Sequence, residues 1–199
     1  MAFARIEKEP SRGGYRAIPL EGSPIFITTE LFVSFQLTVG QELDEETFFR
    51  LKRIQILRLC RAQALAYLAR REHTAFELQV KLQRKGFEQD CINDTLAVLE
   101  EENLLNEVRY ALQFIESRQR KSPEGRALMA RRLAAKGVKR DAANDALDQL
   151  YSEELVVEYV QRAYELALRK THEETKARHI LIGKGFSSYE IRLGLEMLP

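Results

Sequence analysis

A mainly α-helical protein is the fold class that this 199-residue sequence predicts: three tandem three-helix repeats, helix-turn-helix-like units forming an elongated curved array behind a small β-containing N-terminal extension. Three observations predict it. A Lys-Gly pair recurs at 85/86, 136/137 and 184/185, inside the related hexapeptides LQRKGF, LAAKGV and LIGKGF. After each glycine, apolar or small residues return in one register: Phe87, Ile92, Leu96, Leu99; then Val138, Ala143, Leu147, Leu150; then Phe186, Ile191, Leu195, Leu198. Steps of four and three residues mark one face of a helix. Finally, residues 45–71 run without Gly or Pro, acidic at the start and basic at the end, as a helix dipole prefers. Repeats in this range of periods stack as helical units that touch their neighbours, which gives extended arrays.

Taken in order, FARIEK, YRAIPL and PIFIT are short β-prone pieces separated by the turn clusters EPSRGG and EGSP, a small hairpin or three-stranded unit. Thr28 or Thr29 caps a short helix, ELFVSFQ, which stops before Gly40. Asp44 then starts the long helix that joins this extension to the repeats. Each repeat reads as helix, capped turn, helix, Lys-Gly, helix. The cap signals are Thr74 with Glu77, Thr171 with Glu174, and Ser122 followed by Pro123. The glycine just past each second helix supplies the left-handed backbone that other residues adopt only with strain. The expected divisions are 1–43 for the extension, 44–107 for the long helix and first repeat, 108–157 for the second, basic repeat and 158–199 for the third.

Composition narrows the function classes. Hydrophobic residues at 45% exclude wholesale disorder, and 5 Pro with 10 Gly exclude a collagen or a loop-dominated sandwich. Cys60 and Cys91 have no partner at a metal-like spacing and read as small core residues of a cytoplasmic protein. Residues 1–19 lack a signal-peptide core, and no membrane span is indicated.

With a net charge of +1, electrostatic function must come from local clustering. One cluster exists. The segment 117–140, SRQRKSPEGRALMARRLAAKGVKR, carries Arg118, Arg120, Lys121, Arg126, Arg131, Arg132, Lys136, Lys139 and Arg140 against the single acid Glu124. With Met129 and Leu133 on the buried face, Arg131 points away from the core while Arg126 and Arg132 flank it. The competing explanation is a solvated face balanced by Asp141, Asp145 and Asp148. A weaker set, Arg169, Lys170, Lys176, Arg178 and Lys184, lies in the third repeat; Lys81, Arg84 and Lys85 of the first are offset by the Glu100-Glu101-Glu102 run.

Catalytic and metal readings find little support. His73 and His172 sit beside the capping threonines, His179 reads as a surface residue, and HEET around His172 lacks the second His of a zinc helix. Gly13-Gly14 lacks the Gly-Lys-Ser/Thr of a phosphate loop. Tyr110, Tyr151, Tyr159 and Tyr164 fall near the junctions of repeats, where core packing outweighs base stacking. No catalytic residue, cofactor or metal is expected.

The segments ALAYLARREHTAFELQVKLQRKGF and LEEENLLNEVRYALQFIESRQR, with the two later Lys-Gly repeats, resemble the RecX family of bacterial regulatory proteins. IFITTELFVSFQLTVGQELDEE resembles the extension of its longer members. The resemblance implies a monomeric, non-enzymatic protein that binds the RecA recombinase filament, restrains its ATP hydrolysis and strand exchange, and so acts in recombination, DNA repair and the SOS response. The nine basic residues of 117–140 are the candidate filament or nucleic-acid contacts. An alternative from the same pattern is a direct DNA-binding protein using helix-turn-helix-like units. Against it, the third helices, QDCINDTLAVLEEE and DAANDALDQLYSEE, are acidic where a groove-reading helix would meet phosphate. Weak non-specific DNA affinity is compatible with both.

Overall fold

The computed structural model describes residues 3–11 and 13–196, so Leu198 of the third apolar register lies outside the described residues. The elements follow the order expected, three strands, a short helix and then the long helix and repeats, except that a further short strand stands between the two helices. The chain divides into two compact units, residues 1–65 with 82–95 and residues 66–81 with 96–199.

In the first unit, β1 (Ala4–Glu9) and β2 (Gly14–Pro19) form an antiparallel hairpin, and β3 (Ile25–Ile27) extends it. A short strand, β4 (Glu42–Leu43), pairs with the other edge of β1, so the sheet has four strands in the order β3-β2-β1-β4 rather than three. Two residues carry too little periodicity to announce a strand; what makes β4 is pairing with Ala4 and Arg5. Thr28 caps α1 (Thr29–Ser34), its hydroxyl accepting the Leu31 N–H at 3.3 Å. The helix ends earlier than its apolar residues suggest, with Gln36 in the left-handed conformation just after it. Ile6, Ala17, Ile27, Leu31, Leu43, Phe48 and Leu51 form the core of this unit, and the rings of Tyr15 and Phe32 stack 3.6 Å apart beside it. Asp44 starts α2 (Glu45–Leu68) by accepting the Thr47 N–H at 2.7 Å. Arg58 on α2 grips the Glu30 carboxylate with both terminal nitrogens, at 2.9 and 3.1 Å.

Seven helices follow among the described residues before the last, α10: α3 (Ala75–Gln83), α4 (Gln89–Glu101), α5 (Glu107–Lys121), α6 (Arg126–Ala135), α7 (Arg140–Leu150), α8 (Glu153–Thr171) and α9 (Glu174–Gly183), then α10 (Ser188–Glu196). The three Lys-Gly turns share one hydrogen-bond pattern. The N–H groups of Lys85 and Phe87 both donate to Leu82, those of Lys136 and Val138 to Leu133, and those of Lys184 and Phe186 to Leu181. The glycines have φ of +87°, +75° and +85°, the left-handed closure expected of them.

Tyr110, Ile115, Met129, Leu133, Leu147, Val160, Leu181 and Ile191 belong to one continuous core in the second unit. Tyr151, Tyr159 and Tyr164 are buried in it as well, which accounts for the tyrosines as packing residues. Two helix starts differ from the sequence reading. Ser122 closes α5 as its C-cap, and α6 begins only at Arg126 after an N-cap at Gly125. Thr171 ends α8, His172 follows in the left-handed conformation, and Glu173 is the N-cap of α9. In both cases the capping residue closes the preceding helix, because its hydroxyl or amide finds carbonyls of that helix: Ser122 N–H to Arg118 O, and Thr171 Oγ1 to Ala167 O. No helix among the described residues is long and apolar enough to cross a membrane.

Candidate functional site

All fourteen basic candidates lie in the second unit, where two buried acids organise the turns around them. The first acid is Glu107, at the start of α5. Its carboxylate accepts the Ala75 N–H at 3.4 Å and the Lys139 N–H at 2.6 Å, so one side chain satisfies the starts of α3 and α7 together. Around it, Thr74 both caps α3, accepting the Glu77 N–H at 3.0 Å, and donates its hydroxyl hydrogen to the Lys136 carbonyl at 2.9 Å. The Lys136 ammonium stands 3.5 Å from Glu77, and Lys139 reaches Glu100 at 2.8 Å. Phe76 lies so close to Gly137 that a Cβ there would come within 2.5 Å of its own.

The second acid is Glu124, the lone acid of the basic segment, 6% exposed. Arg132 holds both of its oxygens, at 2.6 and 3.0 Å, and Arg118 adds a contact of 2.5 Å. Its backbone is held as firmly: Gln119 accepts the Glu124 N–H at 2.9 Å and donates to its carbonyl at 2.8 Å, and Tyr151 donates to the same carbonyl at 3.0 Å. Burial, with the Tyr159 hydroxyl nearby, pushes the Tyr151 phenol far above its ordinary range, so it remains a donor. Lys184 closes the assembly, its ammonium donating to Ser122 Oγ at 2.9 Å and to the Pro123 carbonyl at 3.3 Å; desolvation lowers its pKa.

The candidates therefore separate. Arg118 and Arg132 neutralise Glu124, Lys184 braces the α5–α6 loop, and Lys136 and Lys139 pair with Glu77 and Glu100. Arg126 pairs with Asp148 at 2.6 Å, Lys176 with Glu173 at 2.9 Å and Arg169 with Glu165 at 4.0 Å, all at exposed positions. Among the described residues, Arg120, Lys121, Arg131, Arg140, Lys170 and Arg178 are exposed with no side-chain ion pair. Of the three aspartates offered as a balancing face, Asp148 alone takes one of these cations, among the described residues. Arg118, Arg120 and Lys121 also lie in the last turn of α5, where cations offset the helix dipole, and Arg162 donates to the Gln119 and Arg120 carbonyls at 3.2 Å. Sequence reading missed the organising roles of Glu107 and Glu124. The signal for Glu124 was its isolation among nine cations.

His73 is buried, with Nδ1 2.9 Å from the Arg71 carbonyl and Nε2 facing the Lys81 ammonium, which also lies 4.8 Å from the centre of the Tyr67 ring. Desolvation, reinforced by Arg71 and Lys81, lowers its pKa. It is a structural residue of the turn before α3. Cys60 is buried and Cys91 half-buried; burial, with the Cys60 thiol beside it, pushes the Cys91 thiol up to about 11. No group of three or more His, Cys, Asp or Glu among the described residues is gathered as metal ligands would be.

A sheet-bearing extension followed by three-helix units, joined through glycine turns and buried acids, defines the class: a helical-repeat protein with exposed cations, unpaired among the described residues, on its second and third repeats. Two family models match within it, the RecX first three-helix domain at residues 60–99 and the RecX second three-helix domain at 106–147. The regulatory protein RecX of Prosthecochloris aestuarii is 34% identical over 68% of this chain and 91% of its own length, and that of Lactococcus lactis subsp. cremoris is 27% identical over 90% and 70%. A crystal structure of a regulatory protein RecX superposes with a TM-score of 0.78 at 22% identity, covering 98% of this chain and all of that one. The structure of RecX from Lactobacillus salivarius does so at 0.63 with 28% identity over 72% of this chain and 96% of its own. This chain belongs to the RecX family.

Proposed function

We propose that this chain is a non-enzymatic regulator that binds the nucleoprotein filament of a RecA-type recombinase and inhibits its ATPase, strand exchange and filament growth. The reading rests on family membership, since the relatives are named regulatory proteins. The observation that carries its chemistry is the set of exposed, internally unpaired cations Arg120, Lys121, Arg131 and Arg140. Such groups meet an acidic protein surface or phosphate without first breaking an internal ion pair, whereas Arg118 and Arg132 would leave Glu124 buried and uncompensated. Lys170 and Arg178 extend the set into the third repeat. In functional terms 1–43, 44–107, 108–157 and 158–199 are the divisions we assign. Several repeats engaging successive protomers raise affinity through effective concentration and restrain the movements that ATP hydrolysis requires.

Direct sequence reading of DNA is the weaker account. The helices that follow the first two Lys-Gly turns expose Asp90 on α4 and Asp141 and Asp145 on α7 with no ion pair among the described residues, and these carboxylates repel phosphate. The test is recombinase ATPase on single-stranded DNA, titrated with this chain at substoichiometric ratios, beside its binding to the same DNA alone. Inhibition well below one molecule per protomer is expected, lost when Arg120, Lys121, Arg131 and Arg140 are all replaced by Glu. Absence of inhibition with tight, strongly salt-dependent DNA binding would overturn the reading in favour of DNA.

A further inference from the structure

We propose that the turn Lys85–Gly86–Phe87 is a docking site for the first turn of a helix in a partner protein, one carrying a large apolar residue at its second or third position and a carboxylate beside its N-terminus. The chain uses the equivalent turns twice in this way. The Lys136–Gly137 turn receives the start of α3, where Thr74 donates to the Lys136 carbonyl, Phe76 covers the glycine and Glu77 faces the lysine ammonium. The Lys184–Gly185 turn receives the start of α6. There the Gly125 N–H donates to the Lys184 carbonyl at 2.9 Å and Leu128 covers the glycine, while the lysine ammonium donates to Ser122 Oγ and the Pro123 carbonyl just before the helix.

The first turn has the same backbone hydrogen bonds and the same left-handed glycine, yet a Cβ on Gly86 would meet nothing within 4 Å. Lys85 is exposed and, among the described residues, takes no ion pair. An open groove of about 490 Å³ lies against the turn, lined by the apolar Phe49, Ile56, Leu57 and Phe87, by the cations Lys52 and Arg53, and by the acids Glu88, Asp90 and Asp94, the last paired with Arg53 at 3.1 Å. Phe49 is 48% exposed, a large apolar side chain that a docked helix would cover. A second copy of this chain is a poor occupant. At the start of its α10, Tyr189 is 59% exposed but the Glu190 carboxylate is already engaged, accepting the Ser187 N–H at 2.6 Å. The equivalent helix start of the third repeat, that of α9, presents exposed Glu173, Glu174, Thr175 and Lys176, with no large apolar side chain where Phe76 and Leu128 stand. Such a polar outer face is what a terminal repeat uses to end an array.

The test uses the full chain, isotopically labelled, and a lactam-stapled helical peptide copying residues 72–83, which carries the Thr74, Phe76 and Glu77 pattern. Amide shifts confined to 85–87 and the groove residues are expected, with affinity falling about tenfold when Lys85→Glu is introduced in the chain or when the Phe76 position of the peptide becomes Ser. The peptide variant leaves the fold of the chain untouched, so the comparison holds even if Lys85→Glu disturbs the turn. No shifts at millimolar peptide, shifts elsewhere, or affinity indifferent to both changes would overturn the proposal. So would concentration-dependent self-association of the chain that disappears with Lys85→Glu, since the occupant would then be a second copy.

Discussion

Replacing each of the three turn glycines by alanine separates backbone strain from close packing, because the three share a conformation and differ in what surrounds them. A left-handed backbone costs an L-residue about 1–2 kcal/mol, and the reduced freedom of the unfolded chain returns about 0.4–1. Gly86→Ala, with open space around its new methyl, should therefore lose about 1 kcal/mol. At Gly137 the methyl would stand 2.5 Å from Phe76 Cβ, and at Gly185 it would stand 2.6 Å from Leu128 Cβ and 2.8 Å from Leu128 N. Both Cβ atoms are fixed to helix backbone, so relief requires moving α3 or α6. Overpacking of this kind adds about 1–3 kcal/mol, for a total of about 2–4 at each site. In a chain of this size each kcal/mol shifts the midpoint by about 2–4 °C. Thermal and urea unfolding followed by far-UV circular dichroism should thus place Gly86→Ala within a few degrees of the parent and the other two far below it. Equal losses at all three positions would refute the claim that the second and third turns are packed against helix starts while the first is open.

Glu124→Gln should cost about 2–3 kcal/mol, below the full penalty for breaking a buried pair because Arg118 and Arg132 are 38% and 39% exposed; Arg131→Glu should stay within about 0.5. Comparable urea midpoints for the two variants would show that Glu124 does not organise the α5–α6 loop. His73 has a folded pKa below its ordinary 6.5, so the unfolded chain takes the proton more readily. Its contribution is complete above about pH 6.5 and is lost as pH falls from there through the folded value. His73→Asn should flatten the pH dependence in that window while leaving the steeper acid loss, which sets in as pH falls below the ordinary carboxylate values and carboxylates with lowered pKa such as Glu77 and Asp44 take up protons; an unchanged slope just below pH 6.5 would rule His73 out as its source. With its thiol near 11 against an ordinary 9.0, Cys91 should alkylate about a hundredfold more slowly at pH 8 than a free thiol. Reaction at the free-thiol rate, followed by mass spectrometry, would contradict its desolvation.

The repeat architecture was legible because its signals are local. A left-handed glycine after a helix, an Asp44 or Thr74 at a helix start, and apolar residues every three or four positions each act within one or two turns of chain. They held at Gly86, Gly137 and Gly185, and at the buried positions Ile92, Leu96, Leu99, Ala143, Leu147 and Ile191. Where a residue had two local options, the sequence could not choose. Ser122 and Thr171 can each cap a following helix or close a preceding one, and the packing of the loops made them close α5 and end α8.

Charge was legible only as a sum. Nine cations against one acid announced a basic segment, but Coulomb and hydrogen-bond energies depend on distance and burial rather than on position in the chain. Glu124 lies six residues from Arg118 and eight from Arg132, while Glu77 and Lys136 are 59 positions apart. By itself the sequence determined the family, the number and periodicity of the helices and the need for glycine at three turns, since these follow from backbone geometry and short-range sterics. Which cations are spent on buried acids, which remain exposed, and which of three equivalent turns stands open were decided by the tertiary structure alone, because only folding brings distant charges within hydrogen-bonding reach and removes the water that would otherwise screen them.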